Sequence, residues 1–249
     1  MTTLDRANPE IGSISAFFPC YNDAMSIENM VDDVRSSLVR VVNDFEIIVV
    51  NDGSLDDSRE VLQRLHERVP ELRVIEHETN RGYGGALISG FANSTKQWIF
   101  YTDGDAQYDA TQILRCTAVA TEDTDVVQGF KIGRGDPFHR RVIGRVYHHL
   151  VRALFGLPVR DTDCDFRLIR RSAMNQVTLQ STSGVICVEM MYSLKKAGAR
   201  FAEVGVSHHH RPHGKSQFFR LPAIARSAVQ LVALWFRLVP PRRGRRPAK

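Results

Sequence analysis

The sequence lacks paired cysteine motifs and a recognisable targeting segment. Its four cysteines are scattered without Cys-x-x-Cys spacing, which argues against disulfides and zinc sites and favours reduced thiols. The first residues lack the charged-then-apolar order of a signal peptide, and residues 1–12 are predicted to be a flexible lead-in. We therefore expect a cytoplasmic protein.

Acidic residues are absent from the last part of the chain. None follows Glu203, whereas ten Lys and Arg do, although the formal net charge of all 249 residues is only +5. The apolar stretch Leu221–Val239 lies in this basic end, but Arg226 and Arg237 interrupt it. Because only about ten uncharged residues separate the two arginines, the stretch is too short to cross a bilayer.

The basic residues after Glu203 predict an anionic partner. We predict an amphipathic helix over residues 220–239 that lies on an anionic membrane surface on the cytosolic side, with Trp235 and Phe236 as anchors. A basic disordered tail is expected over residues 240–249. The alternative is a helix packed on the preceding domain. Nucleic acid is not expected, because no binding motif or interleaving of aromatic and basic residues is present.

Strand-like and helix-like segments alternate through the rest of the chain. Buried-strand patterns occur at Ile14–Phe18, Phe45–Val50, Leu72–Glu76, Trp98–Thr102 and Asp125–Gln128. Helical spacing occurs at Ser26–Val42, Gly82–Ala92, Thr111–Val119 and Pro137–Phe155. The repeated strand–helix–strand unit predicts an α/β fold with a mostly parallel central sheet flanked by helices. One such domain, over residues 13–219, accounts for most of the chain.

Polar residues follow the strands, at the edge where open parallel sheets bind ligands. The most informative run is Tyr-Thr-Asp-Gly-Asp-Ala-Gln at residues 101–107. Asp103 and Asp105 could hold Mg²⁺ or Mn²⁺ beside the phosphates of a nucleotide, and Gln107 offers a further oxygen. Taken alone, the run is equally typical of a turn after a strand. Tyr21 and Asp52 follow two other strands, so three polar clusters should meet at one edge.

Six ordered motifs carry a family resemblance. They are Pro19–Asp23, Val49–Ser54, Asn80–Ala86, Asp103–Gln107, Arg160–Arg167 and Arg211–Ser216. Together they resemble family 2 glycosyltransferases of the GT-A (Rossmann-like) fold, in the branch of dolichyl- and polyprenyl-phosphate sugar synthases. Two departures stand out: Asp23 replaces the usual Glu, and Cys164 and Asp165 replace a small residue and Gly.

The resemblance implies a nucleotide-sugar donor, a polyprenyl phosphate acceptor and a Mg²⁺ or Mn²⁺ cofactor. The implied nucleotide-sugar contacts are Pro19, Tyr21, Asp23, Asp52, Asp103 and Arg211. The implied metal and diphosphate ligands are Asp103, Asp105 and Gln107. The implied acceptor-phosphate contacts are Lys131, which replaces the family's Arg, and Arg145. Gly214 and Ser216 belong to the loop that closes over the diphosphate in this family.

The expected reaction is metal-dependent transfer with inversion at the anomeric carbon. A lipid phosphate, whose second pKa is about 6, is already ionised and needs no strong base. A sugar hydroxyl in a soluble acceptor or glycan would need one, and Asp161 is then the first choice. A third possibility is a membrane-associated module that binds nucleotide sugars without turnover. The sequence identifies neither the sugar, nor the choice of UDP or GDP, nor the oligomeric state.

Overall fold

The computed structural model describes residues 11–132, 138–210 and 221–239. Within its helices, the side chains of residues 138–143, 145, 146 and 221–225 lie outside that description. The predicted donor-side residue Arg211, the loop residues Gly214 and Ser216, and the side chain of Arg145 therefore fall outside the described part of the chain.

A seven-stranded sheet forms the centre of the molecule. Its strands are β1 Ser13–Cys20, β2 Asp44–Asn51, β3 Leu72–Glu76, β4 Trp98–Thr102, β5 Val126–Ile132, β6 Phe166–Arg170 and β7 Phe201–Ser207. Their spatial order is β3-β2-β1-β4-β6-β5-β7. Every neighbouring pair is parallel except those that β6 makes with β4 and β5. The predicted mostly parallel sheet is confirmed.

Helices cover both faces of this sheet. They are α1 Ala24–Val41, α2 Ser58–Arg68, α3 Tyr83–Asn93, α4 Ile113–Val119, α5 Phe138–Phe155, α6 Arg171–Met174, α7 Ile186–Lys196 and α8 Leu221–Leu238. A short 3-10 turn at Ala110–Gln112 precedes α4, where the sequence predicted a single helix from Thr111. The helical periods of the sequence predicted α1, α3, α5 and α8 to within a few residues.

The alternation of side chains along β1 separates two cores. Ala16 and Phe18 point into the core beneath α1, α2 and α4, whereas Phe17 points into the core beneath α3 and α7. Helices cover both faces of β1, which explains why its sequence is mostly apolar and does not alternate between apolar and polar residues. Because helices cover both faces of the sheet, the carboxyl ends of its strands are held in place. The polar loops project from these ends.

Strand β6 is absent from the sequence prediction. It runs antiparallel in the middle of the sheet, and its Arg167 is completely buried. An arginine in a central strand breaks the apolar pattern by which buried strands are recognised. The structure accommodates it by giving each guanidinium nitrogen a hydrogen-bond partner.

Helix α8 packs on the domain by one side. Leu231 and Leu234 are buried against α5 and α7, and the Trp235 indole N–H donates to the carbonyl oxygen of Leu154. The predicted anchor Trp235 is therefore a packing residue. On the other side, Val229 is 70%, Val232 51% and Phe236 70% exposed. The packed arrangement thus accounts for only one face of α8.

Among residues 11–132, 138–210 and 221–239, no helix is both long and apolar enough to cross a membrane.

Candidate active site

The loops after β1 and β2 hold each other at the carboxyl edge of the sheet. Asn22 takes up a left-handed backbone (φ 58°), and its side-chain oxygen accepts the backbone N–H of Leu55 at 2.8 Å. The Asn22 N–H in turn donates to the Ser54 hydroxyl at 3.0 Å. Tyr21 and Asp23, predicted to contact the nucleoside, flank this cross-link, and Pro19 lies just before it on β1. Two hydrogen bonds therefore cross-link the two loops.

Asp52 is buried at the end of β2, beside a histidine that the sequence did not identify. One oxygen of its carboxylate contacts His77 Nδ1 at 2.6 Å and accepts the Arg81 N–H at 2.9 Å. The other imidazole nitrogen of His77 lies 2.8 Å from the Ser89 hydroxyl. These contacts tie Asp52 to α3 and to the glycine-rich turn before it. Its nucleoside contact remains a prediction.

The Asp103–Gln107 run forms the turn that leaves β4. The Gln107 N–H donates to an Asp105 carboxylate oxygen at 3.1 Å, and Ala106 has a left-handed backbone (φ 56°). The Gln107 side-chain amide donates to the carbonyl oxygen of His209, and the His209 N–H donates back to the Gln107 carbonyl. Both predicted metal carboxylates thus project from one tight turn, and Gln107 fixes that turn to the segment after β7.

A third carboxylate, Asp165, joins the group. Burial, together with the nearby charges of Asp165 and Asp105, raises the pKa of Asp103 well above its ordinary 3.8. Burial also raises the pKa of Asp165 to about 6, although Cys187, Lys131 and Tyr83 act in the opposite direction. Asp103, Asp105 and Asp165 therefore form an acidic group, called here the carboxylate group, at the carboxyl edge of the sheet. All three carboxylates are partly buried, so a cation could still reach them from the open side.

Tyr83, the first residue of α3, contacts the carboxylate group directly. Its hydroxyl donates to an Asp103 oxygen at 2.7 Å. The sequence placed Tyr83 within the Asn80–Ala86 motif but gave it no role, since nothing in the sequence shows that the starts of α3 and of the loop after β4 meet. The contact fixes one of the two predicted metal ligands.

Lys131 and Asp161 meet beside the carboxylate group. The Lys131 ammonium donates to the carbonyl oxygen of Asp163 at 2.9 Å. Burial opposes its charge, yet the surrounding carboxylates, with Asp161 foremost, leave the pKa of Lys131 raised. Asp161 is buried, and its two oxygens accept the backbone N–H groups of Asp163 and Lys131. This arrangement makes Asp161 a turn-forming residue, and its role as a base remains a prediction.

Arg167 lies beneath the site. Its guanidinium donates to Gln128 Oε1 at 2.6 Å, to an Asp165 oxygen at 2.7 Å and to the Thr162 carbonyl at 2.9 Å, and it also contacts the Tyr101 hydroxyl. Asp165 additionally accepts the Cys187 thiol at 3.0 Å. A cation with this many partners holds β4, β5 and the loop before β6 together. In the sequence, only the Arg160–Arg167 motif drew attention to Arg167, and it did not indicate this supporting role.

The donor set of the carboxylate group fits a hard divalent cation. Carboxylate oxygens are the preferred ligands of Mg²⁺ and Mn²⁺. Burial first, and then the charges of Asp165 and Asp105, raise the pKa of Asp103, and a bound cation would offset both effects. Within the described residues, no three His, Cys, Asp or Glu side chains stand close enough to hold an ion by themselves. Mg²⁺ commonly uses one or two carboxylates and completes its shell with substrate phosphates and water.

The fold and the carboxylate group together define a class of α/β protein whose ligands lie at the carboxyl ends of the strands. The chain belongs to glycosyl transferase family 2, whose family model matches residues 15–178. The resemblance read from the six motifs is thereby confirmed.

Curated relatives include two bacterial enzymes of one kind. An undecaprenyl-phosphate 4-deoxy-4-formamido-L-arabinose transferase of Pseudomonas aeruginosa is 29% identical over 235 residues, which cover 92% of this chain and 65% of that protein. Its counterpart from Pseudomonas savastanoi pv. phaseolicola is 30% identical over 234 residues, with 91% and 64% covered. This chain thus spans slightly less than two thirds of the length of these relatives.

Solved structures agree on the fold. Glucosyl-3-phosphoglycerate synthase from Mycobacterium tuberculosis, in complex with Mn²⁺, UDP and glucosyl-3-phosphoglycerate, aligns with a TM-score of 0.70. The alignment covers 90% of this chain and 80% of that chain at 20% identity. The GT-A fold predicted from the motifs is confirmed.

Proposed function

We propose that this chain is a metal-dependent, inverting glycosyltransferase that moves a sugar from a nucleotide-sugar donor to a polyprenyl phosphate. The observation that carries the proposal is the carboxylate group of Asp103, Asp105 and Asp165 at the carboxyl edge of a GT-A sheet. Asp103 and Asp105 would hold the cation, Mg²⁺ or Mn²⁺. When bound, it would neutralise charge on the departing nucleoside diphosphate. The Mn²⁺ and UDP in the similar synthase structure support this assignment.

The residues of the chain would supply binding, orientation and exclusion of water. The cross-linked β1 and β2 loops would receive the nucleoside through Pro19, Tyr21, Asp23 and Asp52. Partial burial of the carboxylate group strengthens its interaction with charged ligands, because water screens them less than at an open surface. An attacking oxygen on the side opposite the leaving diphosphate would invert the anomeric configuration.

The acceptor assignment rests on the relatives and on Lys131. The relatives named above are transferases to undecaprenyl phosphate. Lys131 places an ammonium beside the carboxylate group, where it could meet the phosphate of an acceptor. A phosphate nucleophile requires no strong base, which agrees with the engagement of both Asp161 oxygens by backbone N–H groups.

A membrane surface is the expected location of the reaction. The exposed side of α8 carries Val229, Val232 and Phe236, and the sequence after this helix is basic. Such a surface suits the headgroup region of an anionic bilayer. Replacing Val229 and Phe236 by Ser should reduce sedimentation with phosphatidylglycerol vesicles, with phosphatidylcholine vesicles as the control. Equal sedimentation of the variant and the wild type would exclude this face as the attachment site.

The decisive experiment uses purified protein, Mg²⁺ or Mn²⁺, and a panel of radiolabelled UDP- and GDP-sugars with undecaprenyl phosphate. Label is expected in the organic extract, with cation-free samples and Asp103→Asn as controls. Label transferred to a water-soluble product would instead favour a hydroxyl acceptor. Binding of a sugar nucleotide without hydrolysis or transfer under any of these conditions would indicate a non-catalytic module.

A further inference from the structure

We propose that Tyr83 is a positioning residue for Asp103, and that Arg237 on α8 holds Tyr83 in place through Glu189 and the backbone of Ser181 and Thr182. The inference rests on the proposed function in one respect, that Asp103 binds the metal. It adds a physical connection between α8, whose outer face we assign to the membrane, and the metal-binding carboxylate.

The connection begins at Asp103. The Tyr83 hydroxyl donates to its carboxylate at 2.7 Å, so the position of Tyr83 decides the orientation of this ligand. A carboxylate bound to a metal needs such an outer partner to keep its geometry. Tyr83 in turn opens α3 immediately after Gly82, whose backbone is left-handed (φ 80°). The turn that carries Tyr83 is therefore tight and specific.

The turn rests on the backbone of the segment before α7. The Gly84 N–H donates to the Thr182 carbonyl oxygen at 2.9 Å. A Cβ added to Gly82 would stand 2.5 Å from that oxygen, and one added to Gly84 would collide with the Ser181 carbonyl. Two glycines thus allow a close approach that larger residues would forbid. A shift of Ser181 or Thr182 must consequently move Tyr83.

Glu189 on α7 holds the segment before α7 in place. Its buried carboxylate accepts the Ser181 N–H at 2.8 Å and the Gln180 N–H at 3.2 Å. Arg237 brings the compensating charge from α8, with a nitrogen 2.5 Å from the Glu189 carboxylate and another 3.0 Å from the Gln180 side-chain oxygen. Without Arg237, Glu189 would be a buried carboxylate deprived of its ion-pair partner, and the segment would lose two further contacts.

The test measures Mn²⁺ affinity in the presence of UDP or GDP, with no acceptor present. Tyr83→Phe should weaken Mn²⁺ binding by about tenfold, the loss expected for one hydrogen bond to a charged group. Tyr192→Phe removes a hydroxyl from a half-buried tyrosine on α7 and serves as the matched control. Equal Mn²⁺ affinity in Tyr83→Phe and the wild type would overturn the role of Tyr83.

The role of α8 is tested with Arg237→Gln against Arg226→Gln, an equal charge loss at an exposed position of the same helix. Arg237→Gln should weaken Mn²⁺ binding by about fivefold, and Arg237→Lys should recover most of it. The double variant with Tyr83→Phe should bind Mn²⁺ no more weakly than Tyr83→Phe alone. Independent, additive losses, or equal losses from Arg226→Gln, would contradict the connection.

Hydrogen exchange provides a readout that needs no metal. The amide protons of Ser181 and Gly84 should exchange faster in Arg237→Gln than in Arg226→Gln. Their acceptors, the Glu189 carboxylate and the Thr182 carbonyl, belong to the connection between α8 and Tyr83. If the wild type bound neither Mn²⁺ nor nucleotide, the proposed function would fail, yet this difference would still support the link from α8 to the turn. Equal exchange rates in the two variants would overturn the link whatever the ligand.

Discussion

Replacement of Arg167 by Met should destabilise the protein severely. Arg167 is completely buried, and its guanidinium serves Gln128, Asp165, Thr162 and Tyr101. Met fills similar volume but donates no hydrogen bond, so the largely buried Asp165 carboxylate loses its ion-pair partner. Breaking one partner of a buried ion pair costs about 3–5 kcal/mol, a large fraction of the roughly 5–15 kcal/mol by which domains are stable.

Urea unfolding followed by circular dichroism measures this loss. Arg115→Met is the matched control, because exposed Arg115 donates a hydrogen bond to the Gly205 carbonyl, and losing it should cost about 1 kcal/mol or less. Adding Asp165→Asn to Arg167→Met should restore at least about 1 kcal/mol, since no lone buried charge remains. If Arg167→Met costs no more than Arg115→Met, or if the double variant is less stable than the single one, the assignment of Arg167 as the buried support of the site is wrong.

Three further predictions follow from the site and the core. Asp105→Asn should lower transfer by at least about 100-fold and weaken Mn²⁺ binding while leaving the melting temperature nearly unchanged; full activity in the variant or in EDTA would contradict it. Lys131→Met should raise the KM for polyprenyl phosphate by about 10–100-fold, with the KM for the sugar nucleotide as the internal control. Burial disfavours the charge of Glu46, yet hydrogen bonds from Ser15, Thr95 and Arg73 leave its pKa below the ordinary 4.5. Its stabilisation is therefore present above pH 4.5 and is lost as the pH falls through the lowered pKa, so Glu46→Gln should flatten the acid limb of the urea-unfolding profile.

The sequence by itself determined the elements whose pattern is local. Apolar runs closed by polar residues predicted β1, β2 and β4, and helical spacing predicted α1 and α3. Because parallel strands end at a common edge, the position of Asp103 and Asp105 after β4 could be inferred without coordinates. The six motifs were specific enough to identify the family, which the family model then confirmed.

The tertiary structure alone decided which distant residues meet. β6 escaped prediction because its Arg167 breaks the apolar pattern, and its burial is tolerable only with partners brought together from β4, β5 and the loop before β6. The contacts of Tyr83 with Asp103 and of Arg237 with Glu189 join residues 20 and 48 positions apart. The periodicity of apolar residues along a strand or helix shows which face each side chain occupies. Its partner, its desolvation and hence its charge depend on long-range packing, which no local pattern records.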